Sequence, residues 1–228
     1  MHIVSEPSIL YFGTPVILIG TTNCDGSCNL APMSSAFWLG WRCVIGLAGS
    51  SQTTKNILRT GECALNLASV NEVAAVNRLA RTTGTNPVPA GKVQKGYHYE
   101  PDKFKKAGLT PVPADIVAAP RVKECAVQLE AVVANVHSVA EEDAAMKGSV
   151  IITELRIVRV HLSTSILAEG KPNHDDPGKW HPLIMNFQKF YSTGNEVHDS
   201  ELAKIPEELY RTPDIKKAQL MQEGVPLN

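Results

Sequence analysis

The chain has 228 residues and a mass of 24.7 kDa, enough for one domain with a sizeable core and extensions. Its formal net charge of -1 and sequence pI of about 6.7 give no basis for a partner chosen by bulk electrostatics. Nucleic acid and an anionic membrane surface are thereby disfavoured, and small-molecule work is left as the default.

Residues 1–7 lack a basic region ahead of a long apolar core, so no secretory signal is expected, and no apolar run approaches membrane-spanning length. Residues 8–13 read as an edge segment. Residues 16–21 form an apolar run that reads as a buried strand, ended by the turn signal Cys24-Asp25-Gly26. A return strand from about Leu30 to Phe37 makes a hairpin. The next apolar run, 44–48, reads as another buried strand. Hydroxyls then gather at Ser50, Ser51, Thr53 and Thr54 before Ile57 and Leu58, with a stop at Gly61, which marks a helix and both its ends.

Residues 62–67 read as a strand, and 70–81 carry apolar residues at helical spacing. From 82 to 100 the composition turns to Gly, Pro, Thr and Lys, which predicts a long loop, either a lid over a ligand or a plain surface excursion. A short helix follows over 102–107, capped by Asp102 and stopped by Gly108, then an extended Pro-rich connection over 111–120. Val127, Leu129, Ala131 and Val133 alternate with Gln128 and Glu130, as in a strand with one buried face. Glu141, Glu142 and Asp143 read as a solvated turn. Over 149–162 the apolar positions switch parity between Ile157 and Val158, which a β-bulge would produce. The sum is a mainly β, antiparallel barrel of about six strands with a few helices outside. Residues 170–180 are a polar link, 180–194 a last strand-turn, and 200–228 carry helical patterns around Pro206 and Pro213.

Five cysteines, Cys24, Cys28, Cys43, Cys63 and Cys125, fit a reduced cytoplasmic protein, with the last three as core residues. No metal site is expected: the histidines are scattered, and the best remaining group is His174, Asp175, Asp176 and His181. Gly49-Ser50-Ser51 lacks the second glycine of a serine elbow, and no Gly-x-Gly-x-x-Gly opens a helix.

Two clusters of small polar residues flank the 44–48 strand. The helix start has free N–H groups and a dipole that favour an anion, with Ser51, Thr53 and Thr54 as neutral donors, Lys55 as a cation and Asn56 supporting the loop. On the other side, Asn29 and the backbone of Ala31, Pro32, Met33, Ser34 and Ser35 suit the polar edge of a flat ring. Pro32, lacking an N–H, belongs at a sheet edge. Together they suit an aromatic ring carrying a phosphate tail. The same residues would also serve a barrel that binds nothing, since Ser and Thr cap helices anyway. Phe37 and Trp38 read as core.

The runs 15–23 and 25–35, then Ser51-Gln52-Thr53-Thr54-Lys55-Asn56-Ile57, 60–67 and Asp102-Lys103-Phe104 through Gly108-Leu109, resemble the flavin-reductase-like family of FMN-binding split barrels, in the same order and up to about Gly194. The resemblance implies a six-stranded Greek-key split barrel over 1–195, with 196–228 as a C-terminal helical extension that departs from compact members. It implies a homodimer that binds FMN, with His181 and Tyr191 as late-segment contacts to the flavin. The implied reaction is hydride transfer from NADH or NADPH to FMN, with no protein acid or base required. A flavin-dependent monooxygenase or another electron acceptor would lie downstream. The alternatives are a carrier that holds FMN tightly and a non-enzymatic barrel.

Overall fold

The computed structural model describes residues 1–223. β1 (Phe12–Pro15) leads into β2 (Ile17–Thr22), which returns as β3 (Cys28–Met33); β4 (Ala36–Leu39) and β5 (Arg42–Ala48) form a second hairpin. α1 (Gln52–Thr60) connects to β6 (Glu62–Leu67), and α2 (Val73–Leu79) follows a single 3₁₀ turn. Next come short elements only: β7 (Thr82–Thr83) parallel to β8 (His98–Tyr99), α3 (Ala90–Val93), α4 (Lys103–Ala107), and β9 (Pro111–Val112) antiparallel to β10 (Arg121–Val122). The long hairpin of β11 (Val127–Ser138) and β12 (Val150–Leu162) precedes a small exposed hairpin, β13 (Leu167–Ala168) with β14 (Lys171–Asp175). β15 (Leu183–Asn186) and β16 (Lys189–Ser192) join β1 in a three-stranded sheet, and α5 (Pro213–Gln222) packs on β12.

The principal sheet runs β3-β2-β6-β11-β12-β5-β4, all antiparallel. β5 lies beside β12 although β6 and β11 come between them in sequence, which is the Greek-key arrangement, with α1 on the long connection. Seven strands stand where about six were expected, because the single return strand over 30–37 is two. Ser34 and Ser35 interrupt it, and β3 and β4 fall at opposite edges of the sheet. Met33 and Ala36 are three peptide links apart, at most about 11 Å. The two edges must therefore meet, and the sheet curls into a barrel with an unpaired seam between β3 and β4. The Ser35 carbonyl accepts from Gly46 N at 2.9 Å, which extends the β4–β5 ladder by one residue toward the seam.

The barrel interior holds Ile17, Ile19, Ile45, Leu47, Leu65, Leu129 and Leu155. β2 is buried on both faces, since Val16, Leu18 and Leu30 pack outward against Val76, Leu79 and Phe104 of α2 and α4. That is why residues 16–19 are continuously apolar. Gly20 is held to glycine by a neighbour: a Cβ there would sit 2.0 Å from the Pro120 carbonyl oxygen. The parity switch is a bulge, since Glu130 pairs with Arg159 and Ala131 with Ile157, leaving Val158 unpartnered.

Several expectations need correction. Gln128 and Glu130 are not on a solvated face; both are buried, because residues 113–122 lie over it. Gln128 Nε2 donates to the Val122 and Cys125 carbonyls, while Glu130 accepts from the backbone N–H of Asp115, Ile116 and Val117 and pairs with His161 Nε2 at 2.7 Å. The 70–81 helix ends at Leu79, with Arg81 in the left-handed region at φ 57°. The 170–180 link contains β14. Phe37 is 53% exposed rather than core, whereas Trp38 packs against the interior. Cys43, Cys63 and Cys125 are buried, and all five thiols are free. In the 196–228 extension the described part holds two 3₁₀ turns and α5, whose Asp214 pairs with Arg42 Nε at 2.8 Å; residues 224–228 lie outside the described residues. Among the described residues no helix is long and apolar enough to cross a membrane.

Burial opposes the Glu130 charge, yet His161 and the three N–H groups outweigh it and hold the carboxyl at about 2, below its ordinary 4.5. Its contribution to stability is therefore complete above pH 4.5 and lost as pH falls toward 2. Glu130→Gln is expected to lower unfolding stability by about 3 kcal/mol at pH 7, since charge-assisted bonds are lost and an amide N–H meets backbone donors. Urea unfolding at pH 7 and across pH 5 to 2 checks this, with a shallower acid slope in the variant.

Candidate functional site

The cleft beside the seam is built from two strands, the start of α1 and the chain that follows α2. β3 contributes Ala31, Pro32 and Met33; the end of β5 contributes Leu47 and Ala48; the start of α1 contributes Ser51, Gln52 and Thr53. The far wall is the chain from Leu79 to Gly84, with Lys92, Tyr97 and Lys103. The enclosed volume is about 200 Å³. β3 pairs on one side only, with β2, so its other side is a free sheet edge, as a proline in it requires.

α1 presents its N-terminus to this space. Ser51 is the N-cap: its Oγ accepts from Thr54 N at 3.1 Å, while the amides of Gln52 and Thr53 belong to the first turn and have no intrahelical acceptor. The buried layer behind fixes the donors. Asn29 Nδ2 donates to Thr21 Oγ1 at 3.0 Å and to Thr53 Oγ1 at 3.2 Å. Loading the acceptor side of the Thr53 hydroxyl leaves its O–H free to donate. Asn56 Nδ2 donates to Thr21 Oγ1 and Asn23 Oδ1, and Thr54 Oγ1 to the Ala48 carbonyl.

The predicted site residues therefore divide. Ala31, Pro32, Met33, Ser51 and Thr53 come together in the cleft lining. Asn29, Thr54 and Asn56 are buried behind it and engaged in bonds that shape it. Lys55 is exposed on the first turn of α1, outside the lining, though close enough to act on the charge of Lys92. Ser34 and Ser35 form the seam link and are not in the lining. His181 and Tyr191 are elsewhere: His181 Nδ1 is 2.9 Å from Thr193 Oγ1, and Tyr191 pairs with Ile184.

Among the lining residues outside the predicted set are Arg81, Lys92, Tyr97 and Lys103. They come from the irregular 81–103 stretch, where no periodicity says which way a side chain points. Three are cations, and among the described residues none of the three has a carboxylate within ion-pairing distance. Lys103 is 4% exposed, and burial, then repulsion from Lys92, pushes its ammonium down to about 8 despite the opposing pull of Glu100. Lys92 is lowered by burial and by Lys55; its Nζ donates to Thr83 Oγ1 at 3.3 Å and lies 5.6 Å from the centre of the Tyr97 ring. The sequence did hold one clue. Asp102 caps α4, and that fixes Lys103 at its first position, turned inward.

A larger cavity of about 600 Å³ lies between β11, β12 and residues 179–180, but it holds none of the predicted residues. Several of its polar groups are engaged, Glu72 with Ser69, Arg121 with Gln128, His161 with Glu130, and Lys179 with the Leu167 carbonyl, while among the described residues the Trp180 indole N–H is buried without a partner. Asp115, Glu130 and His161 there are close enough to share an ion, yet Arg159 at 2.8 Å and Arg121 at 3.7 Å already neutralise Asp115. The His174, Asp175, Asp176 and His181 group does not converge among the described residues. The cleft holds three cations and no carboxylate in its lining, beside a free sheet edge.

A model of the flavin reductase like domain matches residues 9–194. The chain is 35% identical over 192 residues to the uncharacterized protein YdfE of Bacillus subtilis (strain 168), covering 84% of this chain and 89% of that one. It shares its fold with the flavoredoxin of Desulfovibrio vulgaris (Miyazaki F), at TM-score 0.70 and 22% identity over 89% of this chain and 99% of that one. It also shares it with nitrilotriacetate monooxygenase component B from Bacillus cereus, at TM-score 0.66 and 18% identity over 84% and 88%. With a split barrel in place and most of its length matched, the chain belongs to the flavin reductase like domain family.

Proposed function

We propose that the cleft binds FMN and that the protein is an NAD(P)H-dependent oxidoreductase of the flavin-reductase type. The observation that carries this reading is the convergence of Arg81, Lys92 and Lys103, without a carboxylate among the lining residues, on a cleft that also receives the N-terminus of α1. A barrel that bound nothing would gain nothing from a nearly buried, unpaired lysine, because burying a cation without a partner is costly.

The donor set fits a phosphate. The free amides of Gln52 and Thr53, the Thr53 hydroxyl and the three cations would hold it, with Lys55 adding to the field at the mouth. Ser51, Thr54 and Asn56 keep the donors in position, and Asn29 sets the direction of the Thr53 proton. Ala31 and Met33 would meet the polar rim of the ring through the free edge of β3. When bound, the ring supplies the chemistry, accepting a hydride from reduced nicotinamide and passing electrons onward. The protein's part is to bind, orient and exclude water, and no side chain acid or base is needed in the cleft.

A cleft of about 200 Å³ is smaller than a pocket that encloses a whole ligand of this size. The ring would therefore lie along the open edge, covered by a second copy of the chain. Exposed apolar residues nearby, Phe37 and Leu39 on β4 and Phe12 on β1, supply surface for that contact. His181 and Tyr191 would act only in such an assembly. The same fold occurs in a flavoredoxin and in a monooxygenase component, which favours a second reading alongside the first: a firmly held FMN that only carries electrons. In either case the electron acceptor is another protein, for the reductase a flavin-dependent monooxygenase.

Titration with FMN, followed under nitrogen by NADH and then NADPH, is expected to bleach the flavin band, at a rate that depends on added free FMN. A bleach independent of added FMN would favour the carrier, and a protein that takes up no FMN would end the proposal. Lys103→Met is expected to lower FMN affinity about 10- to 100-fold, and exposed Lys55→Ala only about threefold. Because Lys103 must be charged to meet the phosphate, affinity should hold to about pH 8 and fall above it, with proton uptake on binding seen calorimetrically near pH 8. The folded protein without ligand should behave oppositely, gaining stability from pH 8 to 10.5 as the buried ammonium is relieved of its charge. Light scattering after size exclusion is expected to give twice the chain mass.

A further inference from the structure

Lys103 is more than a fixed cation, because its surroundings let it shed a proton and act as a nucleophile. The residue is 4% exposed and reaches the cleft lining from the first position of α4. Among the described residues its ammonium has no hydrogen-bond acceptor, and Glu100 draws on its charge without coming within ion-pairing distance. Nor is Nζ among the buried polar atoms sealed from water, so the small exposed part of the residue includes it, and the space it opens on is the cleft.

Burial and the neighbouring charge of Lys92 bring the ammonium down to about 8 from 10.5. At pH 8 about half of such side chains carry a free amine, against about three in a thousand for an ordinary lysine. A desolvated lysine beside a second cation is the usual way a protein makes an amine nucleophilic near neutrality. Lys92 is held differently, since its Nζ already donates to Thr83 Oγ1 at 3.3 Å and lies 5.6 Å from the centre of the Tyr97 ring.

The groups around Lys103 say which electrophile would be brought to it. Arg81, Lys92 and the free amides at the start of α1 favour a phosphate, and a volume of about 200 Å³ encloses a small molecule whole. In an acyl phosphate a single oxygen joins the carbonyl carbon to phosphorus. An amine that touches the phosphate is thereby already beside the carbon it would attack. The cations that hold the phosphate also stabilise it as it leaves.

We propose that Lys103 is a self-acylation site for small acyl phosphates, held at the cleft by Arg81, Lys92 and the N-terminus of α1. The Nζ lone pair attacks the carbonyl carbon and the C–N bond forms. The C–O bond to phosphate breaks, inorganic phosphate leaves with that electron pair, and the nitrogen gives its proton to water. The resulting amide carries no charge, so acylation lowers the affinity of the cleft for an anion. This inference rests on the cation-lined cleft and not on the flavin reading.

The test is incubation of the full chain with acetyl phosphate at pH 8, with each lysine followed over time by peptide mass spectrometry. Lys103 should be acetylated at least about tenfold faster than Lys216, an exposed lysine of α5 remote from the cleft. Inorganic phosphate should slow the reaction at Lys103 and leave Lys216 unchanged. Acetic anhydride, which carries no phosphate, should reverse the order and favour Lys216. Modification of Lys103 no faster than Lys216, indifference of Lys103 to inorganic phosphate, or the same preference with the anhydride overturns the inference. Acetylation of Lys103 in a protein that takes up no FMN upholds it and removes the flavin reading, whereas FMN uptake with Lys103 untouched does the reverse.

Discussion

Everything about this molecule depends on a steric constraint at two serines. Ser34 and Ser35 join the strands that form the two edges of a seven-stranded sheet, so those edges can be no farther apart than the link allows. The sheet is forced to close on itself without a ladder across the seam. An open edge of β3 results, and the connection from β5 carries α1 to the same side. A row of free backbone groups and a helix N-terminus thus come to flank one cleft. Neither alone makes a binding site; their juxtaposition is a property of barrel closure.

Irregular chain covers the rest of the barrel, and buried polar side chains hold it there. Glu130 gathers three successive N–H groups of the 115–117 segment, and Asn66 links the Val122 N–H to the Leu18 carbonyl. Asn29, Thr21 and Asn56 do the same between the β2–β3 hairpin and α1. These groups are deeply buried and bonded, so each fixes its segment more tightly than apolar packing could, because a misplaced partner leaves an unmet polar atom in the interior. The cleft inherits that rigidity. The Thr53 hydroxyl in its lining accepts from the buried Asn29 amide behind it.

Against this well-matched background the cations of the cleft stand out. A nearly buried lysine whose charge is opposed by burial and by a second lysine is unfavourable in the protein alone. Such an arrangement stores affinity for an anion in the folded structure, so that binding relieves repulsion as well as forming bonds. The barrel places the cleft, and Arg81, Lys92, Tyr97 and Lys103 reach it from the 81–103 stretch.

How much was legible beforehand follows from the range of the interactions. The apolar runs, the Ser51 cap with its Gly61 stop, the Asp102 cap with Gly108, and the bulge at Val158 are local patterns, and each stands in the fold where the sequence put it. The small residues of β3 and the hydroxyls of α1 were legible as a pair for the same reason. What the sequence could not decide was which face of β11 is solvated, that Asn29, Thr54 and Asn56 turn inward to shape the cleft, and that cations from a loop return to line it. Those outcomes depend on contacts between residues far apart in the chain, such as Glu130 with 115–117 and Lys92 with Thr83 against α1, and a side chain's direction in irregular backbone is set by what packs over it. Local propensity determined the elements; only closure of the barrel and the burial it imposed decided which polar groups were left facing the cleft.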